Sequence, residues 1–240
     1  MFFLGDSTTF YLYRGAHAEC TRGGDGNWSD PLATVPLERY GPPPLEAAPH
    51  PLPYGGAVCQ PLSAFGRVGA AIHWGVAPDA PYHAAWDSHR TFGDTTSSVA
   101  NIARAAAEFA KRAEGGTAAF ALASNAWDIK RYLEHFQDRV PPLHWDEEYA
   151  RNLTSVVRTL KQKARVILLT SFVPAAPYAS YSIRLNHQMR AVAVAEKVGM
   201  ADIAATYNGS CASSYLKDDF HPQPHAASEA IRILADVVKN

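Results

Sequence analysis

The stretch Met1-Phe2-Phe3-Leu4-Gly5-Asp6-Ser7 organises the interpretation of the whole chain. Three apolar residues lead into Gly-Asp-Ser, and a helix-compatible stretch follows from Thr8 to Ala18. This pattern predicts a short buried strand, a tight turn and a helix that begins at Ser7. The serine hydroxyl then lies beside the unpaired N–H groups at the positive end of the helix dipole. Two roles are open at this point: Ser7 can cap the helix, or it can be a nucleophile beside an oxyanion site.

Length and composition indicate one α/β domain over residues 1–240. The chain is 47% hydrophobic, so we expect a full core, and its formal charge of −1 leaves no basic excess for a nucleic-acid surface. No apolar run reaches the roughly 20 residues that a membrane helix needs. The N-terminus lacks the charged and apolar regions of a signal peptide, so none is predicted. Composition leaves the oligomeric state open.

Cysteines and glycosylation sequons bear on the compartment. The chain has three cysteines, Cys20, Cys59 and Cys211. They are too few and too scattered for a disulfide framework or a zinc ribbon, so either one pair and one free thiol or three buried thiols are expected. Sequons begin at Asn27, Asn152 and Asn208. Their number exceeds the chance expectation and favours a secretory or extracellular location.

Apolar runs and helical spacing alternate along the rest of the chain. Further strands are predicted at 68–76, 117–124, 166–170 and 201–204. Helices are predicted at 99–110, 153–160, 183–198 (ended by Gly199) and 227–238. Residues 21–67 are rich in Gly and Pro, which predicts a long insertion that forms a lid or a cleft wall. We therefore predict a three-layer α/β/α sandwich with a mostly parallel five-stranded sheet, whose ligands bind at the carboxyl ends of the strands.

The segment before the last helix carries an Asp-x-x-His pattern, Asp218-Asp219-Phe220-His221. An Asp three residues before a His can accept the Nδ1 proton, which fixes the tautomer and leaves Nε2 as a base toward a serine. A surface loop is the plain alternative. A metal site at His221 and His225 lacks a third ligand at useful spacing, so no metal is predicted.

Asn125 and Gly93 are further candidates at the same edge. Asn125 ends an apolar strand, where its amide can donate to an oxyanion or simply close a turn. Gly93 precedes a predicted helix, where its N–H can face a ligand closely, or where it serves only as a turn residue.

Taken in order, these elements resemble the blocks of the SGNH (GDSL-like) hydrolase superfamily. Gly5-Asp6-Ser7 resembles the first block, with Thr8 where Leu is frequent. Gly93-Asp94-Thr95 resembles the second block, for which Gly75 is the rival. Asn125 stands in the third block, usually Gly-x-Asn-Asp, whose Gly and Asp are missing here. Asp218 and His221 match the fifth block.

Ser124-Asn125-Ala126-Trp127-Asp128, together with Arg131-Tyr132 and residues 149–153, is similar to the PC-esterase branch of that superfamily. The resemblance implies a serine esterase that cleaves an acyl ester, acetyl above all, on a carbohydrate or other small molecule. It implies a triad of Ser7, His221 and Asp218, with no cofactor and no metal. The oxyanion hole then consists of the Ser7 and Gly93 N–H groups and the Asn125 amide. Asp128 is expected to cap the next helix.

Two alternatives to this esterase stay open. The same acyl-enzyme can pass its acyl group to a sugar hydroxyl, which would make the protein an O-acyltransferase. A non-catalytic glycan-binding relative can also keep the fold.

Overall fold

The N-terminal apolar run forms an interior strand of the sheet, β1 (Phe2–Gly5), and the described positions between 8 and 16 are helical. The computed structural model describes residues 1–5, 8–9, 11–13, 15–16, 54–58, 67–72, 75–76, 119–126, 128–129 and 144–239. Ser7, Gly93 and the predicted helix at 99–110 lie outside these ranges, as do Cys20 and Cys59.

Five parallel strands and one antiparallel edge strand make up the described sheet, in the order β2-β3-β1-β4-β5-β6. The remaining strands are β2 (Tyr54–Val58), β3 (Arg67–Ile72), β4 (Ala119–Leu122), β5 (Arg165–Leu169) and β6 (Gly199–Ala201). In register, Phe2 pairs with Gly69 on one side and with Phe120 on the other. The predicted fold class and its five parallel strands are confirmed. The sequence did not predict β2, which lies inside the Gly- and Pro-rich insertion and pairs only at the sheet edge, where such a composition is tolerated.

Side chains of the interior strands alternate between two hydrophobic cores, because successive residues of a strand point to opposite faces. Phe3 and Ile167 belong to one core, and Leu4 and Leu168 to the other. Two helices cover the second face, α1 (Trp145–Lys161) and α2 (Ala179–Glu196). The N-terminal helical segment and the last helix, α4 (Pro224–Lys239), cover the first, which produces the three layers.

The α1 helix shows how the sequence directs one of these layers. Its buried positions follow a helical spacing and form one apolar stripe; they are Trp145, Tyr149, Leu153, Val156, Val157 and Leu160. Its first turn is acidic and its last turn is basic, which suits the helix dipole. All three helices predicted in the described C-terminal part are present; α2 and α4 begin four and three residues earlier than predicted, at Ala179 and Pro224.

The predicted end of α2 at Gly199 is wrong. The helix ends at Glu196, and Lys197 adopts the left-handed conformation with φ 53°. The Val198 N–H closes the end by donating to the Ala193 carbonyl at 3.0 Å. Gly199 is instead the first residue of β6. The rule that glycine occupies this position is a preference, and here a lysine takes it.

The short strand predicted at 201–204 also differs from the structure. Strand β6 ends at Ala201, and residues Ile203–Thr206 form a helical turn, α3. Asp202 caps this turn by accepting a hydrogen bond from the Ala205 N–H, a local bond that competes with strand continuation. A 3₁₀ turn at Ala212–Ser214 follows.

Cys211 is exposed and its thiol is free. The interpretation in which all three cysteines are buried is therefore wrong. Within the described ranges, no helix is both long enough and apolar enough to cross a membrane.

Candidate active site

The carboxyl ends of β1 and β4 are adjacent at Gly5, the first residue of the Gly-Asp-Ser motif. The Ala123 N–H, just after β4, donates to the Leu4 carbonyl at 2.9 Å. A Cβ atom on Gly5 would overlap the buried side chain of Thr9, so the close packing of strand against helix requires glycine there. These contacts place Asn125, two residues after Ala123, at the same edge as the first block.

Asp218 and His221 contact each other directly. The Nδ1 atom of His221 lies 2.9 Å from both carboxylate oxygens of Asp218. The carboxylate also accepts from the backbone N–H groups of His221 and Phe220, at 2.8 and 3.0 Å. A bridge between Leu216 and Pro222 and a bond from the Lys217 N–H to the His221 carbonyl close this loop. The loop therefore folds the aspartate back onto the imidazole, as the spacing predicted.

The electrostatics of the loop keep Asp218 ionised. Partial burial by itself would raise the pKa of this carboxyl group. The N–H groups of His221 and Phe220 and the imidazole outweigh that effect and hold the pKa of Asp218 below its ordinary value. An ionised Asp218 at neutral pH keeps the proton of His221 on Nδ1, which leaves Nε2 as the basic nitrogen.

Tyr11 joins this loop to the N-terminal helical segment. Its ring centroid lies 5.0 Å from that of His221. The Lys217 Nζ atom donates to the Tyr11 hydroxyl at 2.6 Å and lies 4.4 Å from the ring centroid. Tyr11 follows Ser7 by four positions, so the segment that begins at the first block reaches the imidazole. Sequence reasoning did not single out Tyr11, although an aromatic residue four positions after a candidate nucleophile lies on the same helical face.

The side-chain amide of Asn125 is anchored to α2. Asn125 is 2% exposed, and its Nδ2 atom donates to Asn186 Oδ1 at 3.2 Å and to the Ser182 carbonyl at 3.4 Å. Asn186 also accepts from the Ser171 N–H at 2.9 Å and donates to the Ser171 carbonyl at 2.8 Å. The buried Asn186 thus joins the loops that follow β4 and β5. Its only signal in the sequence is a polar residue among the apolar positions of a helix.

Asp128 bonds to two neighbouring loops, and most of the helix that we expected it to cap lies outside the described residues. Its Oδ1 atom accepts from the Val76 N–H at 3.0 Å, and Ser124 Oγ donates to its other oxygen. Gly75 has φ 95°, and a Cβ atom there would lie 2.7 Å from the same Oδ1. This buried carboxylate therefore connects the loop after β3 to the segment that carries Asn125. Of the two rival glycines, Gly75 lies in contact with the third-block segment, and Gly93 lies outside the described residues.

In the part of the chain that the structure describes, no three His, Cys, Asp or Glu side chains cluster in a way that could hold a metal ion.

Comparison with known proteins finds similarity at the level of the fold. No protein-family model matches the chain, and no curated protein matches it. Axe2, an acetylxylan esterase from Geobacillus stearothermophilus, superposes with a TM-score of 0.51 at 13% identity, over 100% of this chain and 93% of that chain. A member of the lipolytic G-D-S-L family from Veillonella parvula gives 0.43 at 14% identity, over 59% and 75%. LAE5, an α/β hydrolase enzyme from the metagenome of Lake Arreo, gives 0.43 at 16% identity, over 57% and 67%. Over nearly the full length of both chains, this chain therefore shares the overall fold of Axe2.

Proposed function

We propose that the protein is a serine esterase that hydrolyses an acyl ester, with acetyl as the expected acyl group, on a carbohydrate or another small molecule. The observation that carries the proposal is the Asp218–His221 pair. Its Nδ1–carboxylate distance is 2.9 Å, and its imidazole packs against Tyr11 in the segment that follows Gly5-Asp6-Ser7. A base that is oriented by a carboxylate, and that packs against the segment following a Gly-Asp-Ser motif, is what we expect of an enzyme that transfers acyl groups to serine.

The reaction has two halves. The Ser7 Oγ atom attacks the acyl carbonyl while His221 Nε2 accepts the hydroxyl proton. The imidazolium, stabilised by Asp218, then protonates the leaving alcohol, and an acyl-enzyme remains. A water molecule, deprotonated by the same nitrogen, hydrolyses the acyl-enzyme and regenerates Ser7. Atoms and protons balance without a metal or an organic cofactor.

The oxyanion hole in this proposal has three donors: the Ser7 N–H, the N–H of Gly75 or Gly93, and the Asn125 amide. Gly75 is supported by its contact with the segment around Asn125 through Asp128. Both hydrogens of the Asn125 amide have protein acceptors, and the one at 3.4 Å is the weaker contact. On substrate binding this hydrogen turns from the Ser182 carbonyl to the oxyanion, while Asn186 keeps the other.

The structural neighbour supports the assignment of the pair. Axe2 is an acetylxylan esterase, and its solved catalytic mutants replace an aspartate and a histidine three positions apart. Asp218 and His221 have the same spacing.

The first test is hydrolysis of p-nitrophenyl acetate by the wild type and by Ser7→Ala. The variant should lose nearly all activity, and Ser155→Ala, which changes an exposed serine on α1, should keep it. Activity that survives in Ser7→Ala would exclude Ser7 as the nucleophile. A fluorophosphonate probe should label the wild type at Ser7; a folded protein that resists labelling would be a non-catalytic relative.

A second experiment separates hydrolysis from acyl transfer. Acetate release should be independent of an added neutral oligosaccharide. Transfer of the acetyl group to that oligosaccharide, at the expense of free acetate, would identify an O-acyltransferase instead.

A further inference from the structure

A cleft of about 410 Å³ opens between α2 and the turn that follows β6. Its walls include Val173, which follows β5, and Asp202, which follows β6. The cleft therefore lies at the carboxyl edge of the sheet, the edge at which the loops of β1 and β4 meet. Its volume is within the range of roughly 300–1,000 Å³ that small-molecule sites occupy.

The polar part of the lining carries no net charge. Arg190 binds Asp202 through two parallel contacts of 2.8 Å, and Thr170 donates to the same carboxylate at 2.9 Å. Two of the five guanidinium N–H groups are used in this pair. Asn208 adds an amide group that both donates and accepts, whereas the buried amide of Asn186 is already bonded to Asn125 and Ser171. A ligand with many hydroxyl groups matches such a mixture, whereas an anion finds a positive charge that is already neutralised.

The apolar part of the lining is aliphatic. Val173 and Ile183 also line the cleft, and Ile183 is 53% exposed. An exposed aliphatic side chain beside paired donors and acceptors suits the C–H face of a sugar ring, since that face is apolar while the ring edge is polar.

The cleft is also connected to the candidate active site. Asn186 lines it and holds the amide of Asn125 at 3.2 Å. A ligand in the cleft therefore contacts the residue that orients a proposed oxyanion donor.

We propose that this cleft is a subsite for a neutral sugar unit of the ester substrate. The proposal rests on the esterase function proposed above, and it assigns that site a glycan substrate rather than a simple ester.

The experiment compares two substitutions on the same helix. Ile183→Glu places a carboxylate in the cleft, and Val194→Glu is its matched control, because Val194 is 77% exposed on α2 and lies outside the lining. Each variant is assayed with p-nitrophenyl acetate, which has no sugar, and with an acetylated xylo-oligosaccharide. Ile183→Glu should lower kcat/KM for the oligosaccharide about tenfold or more and leave p-nitrophenyl acetate within about twofold of the wild type. Val194→Glu should change neither.

A binding measurement keeps the two proposals separate. Unacetylated xylo-oligosaccharide is titrated into each protein by calorimetry or NMR, which requires no catalysis. If the wild type cleaves neither ester, the proposed esterase function is wrong. The subsite is still supported in that case if the wild type binds the oligosaccharide and Ile183→Glu, but not Val194→Glu, weakens this binding. The subsite is overturned if the wild type binds no oligosaccharide, or if the two variants behave alike with oligosaccharide. If the cleft bound inorganic phosphate in preference to the oligosaccharide, the proposal that its ligand is neutral would be wrong.

Discussion

Replacement of Gly75 by alanine tests whether the loop after β3 is fitted to Asp128. Gly75 has φ 95°, and the added Cβ atom would lie 2.7 Å from Asp128 Oδ1, an atom that also accepts from the Val76 N–H. Gly209 provides a matched control, because it has φ 80° and an added Cβ would meet nothing within 4 Å.

The expected losses in the free energy of unfolding follow from what surrounds each of the two glycines. Both substitutions force an alanine into a positive-φ conformation, at a cost of about 1–3 kcal/mol. Only Gly75→Ala also displaces the Asp128 carboxylate, which is 3% exposed. A buried N–H left without its acceptor costs about 1–3 kcal/mol, so Gly75→Ala should destabilise the protein by that much more than Gly209→Ala.

Urea unfolding followed by circular dichroism gives both free energies of unfolding. A double-mutant cycle adds a sharper criterion: in an Asp128→Ala background, Gly75→Ala should cost only the conformational part. Equal losses for the two glycines, or a Gly75→Ala cost that is unchanged in that background, would refute the proposed fit. If the Gly75 N–H belongs to the oxyanion hole, Gly75→Ala should also lower kcat for p-nitrophenyl acetate about 100-fold, and Gly209→Ala should not.

Three further predictions concern the pair, its neighbour and the cleft. Asp218→Asn should lower kcat about 100-fold or more while the free energy of unfolding changes little, because the loop is exposed; unchanged hydrolysis of p-nitrophenyl acetate would contradict this. Tyr11→Ala should lower kcat more than KM, and Tyr11→Phe, which keeps the ring against His221, should restore most of kcat in the same assay. The pKa of Asp202, which partial burial alone would raise, is held below its ordinary value by hydrogen bonds from Arg190 and Thr170 and by the charge of Arg190. A lowered folded-state pKa means that this stabilisation is present above the unfolded pKa of about 3.9 and is lost as the pH falls through the lower folded value. In urea unfolding at a series of pH values, Asp202→Asn should therefore be less stable than the wild type at pH 7, and the difference should narrow below about pH 4.

Local patterns explain most of what could be predicted from the sequence. The apolar runs predicted the parallel strands because each strand is buried on both faces, as Phe3 and Leu4 show. Strand β2 has no such run, since an edge strand needs only one partner.

The contacts of the candidate site are likewise either local, and predictable from the sequence, or long-range, and not predictable from it. Asp218 and His221 are three residues apart, so their contact could be predicted from spacing alone. The contact between Asn125 and Asn186 joins residues 61 positions apart, and that between Lys217 and Tyr11 joins residues 206 apart. Such pairs depend on which strand lies next to which. No local pattern in a single chain contains that information.

The third block lacks two of its usual residues, and the structure shows what stands in that segment instead. Alanine occupies position 126, next to Asn125, where the third block usually has Asp. A carboxylate is nevertheless present in the segment, two positions later, and it is buried. Asp128 accepts from both Ser124 and the Val76 N–H, so it ties the loop after β3 to the loop after β4. A buried carboxylate is costly unless it is fully hydrogen-bonded, and here its bonds hold together the two loops that would supply oxyanion donors. We therefore infer that Asp128 holds these two loops together in place of the missing Asp, which is compatible with the proposed catalysis.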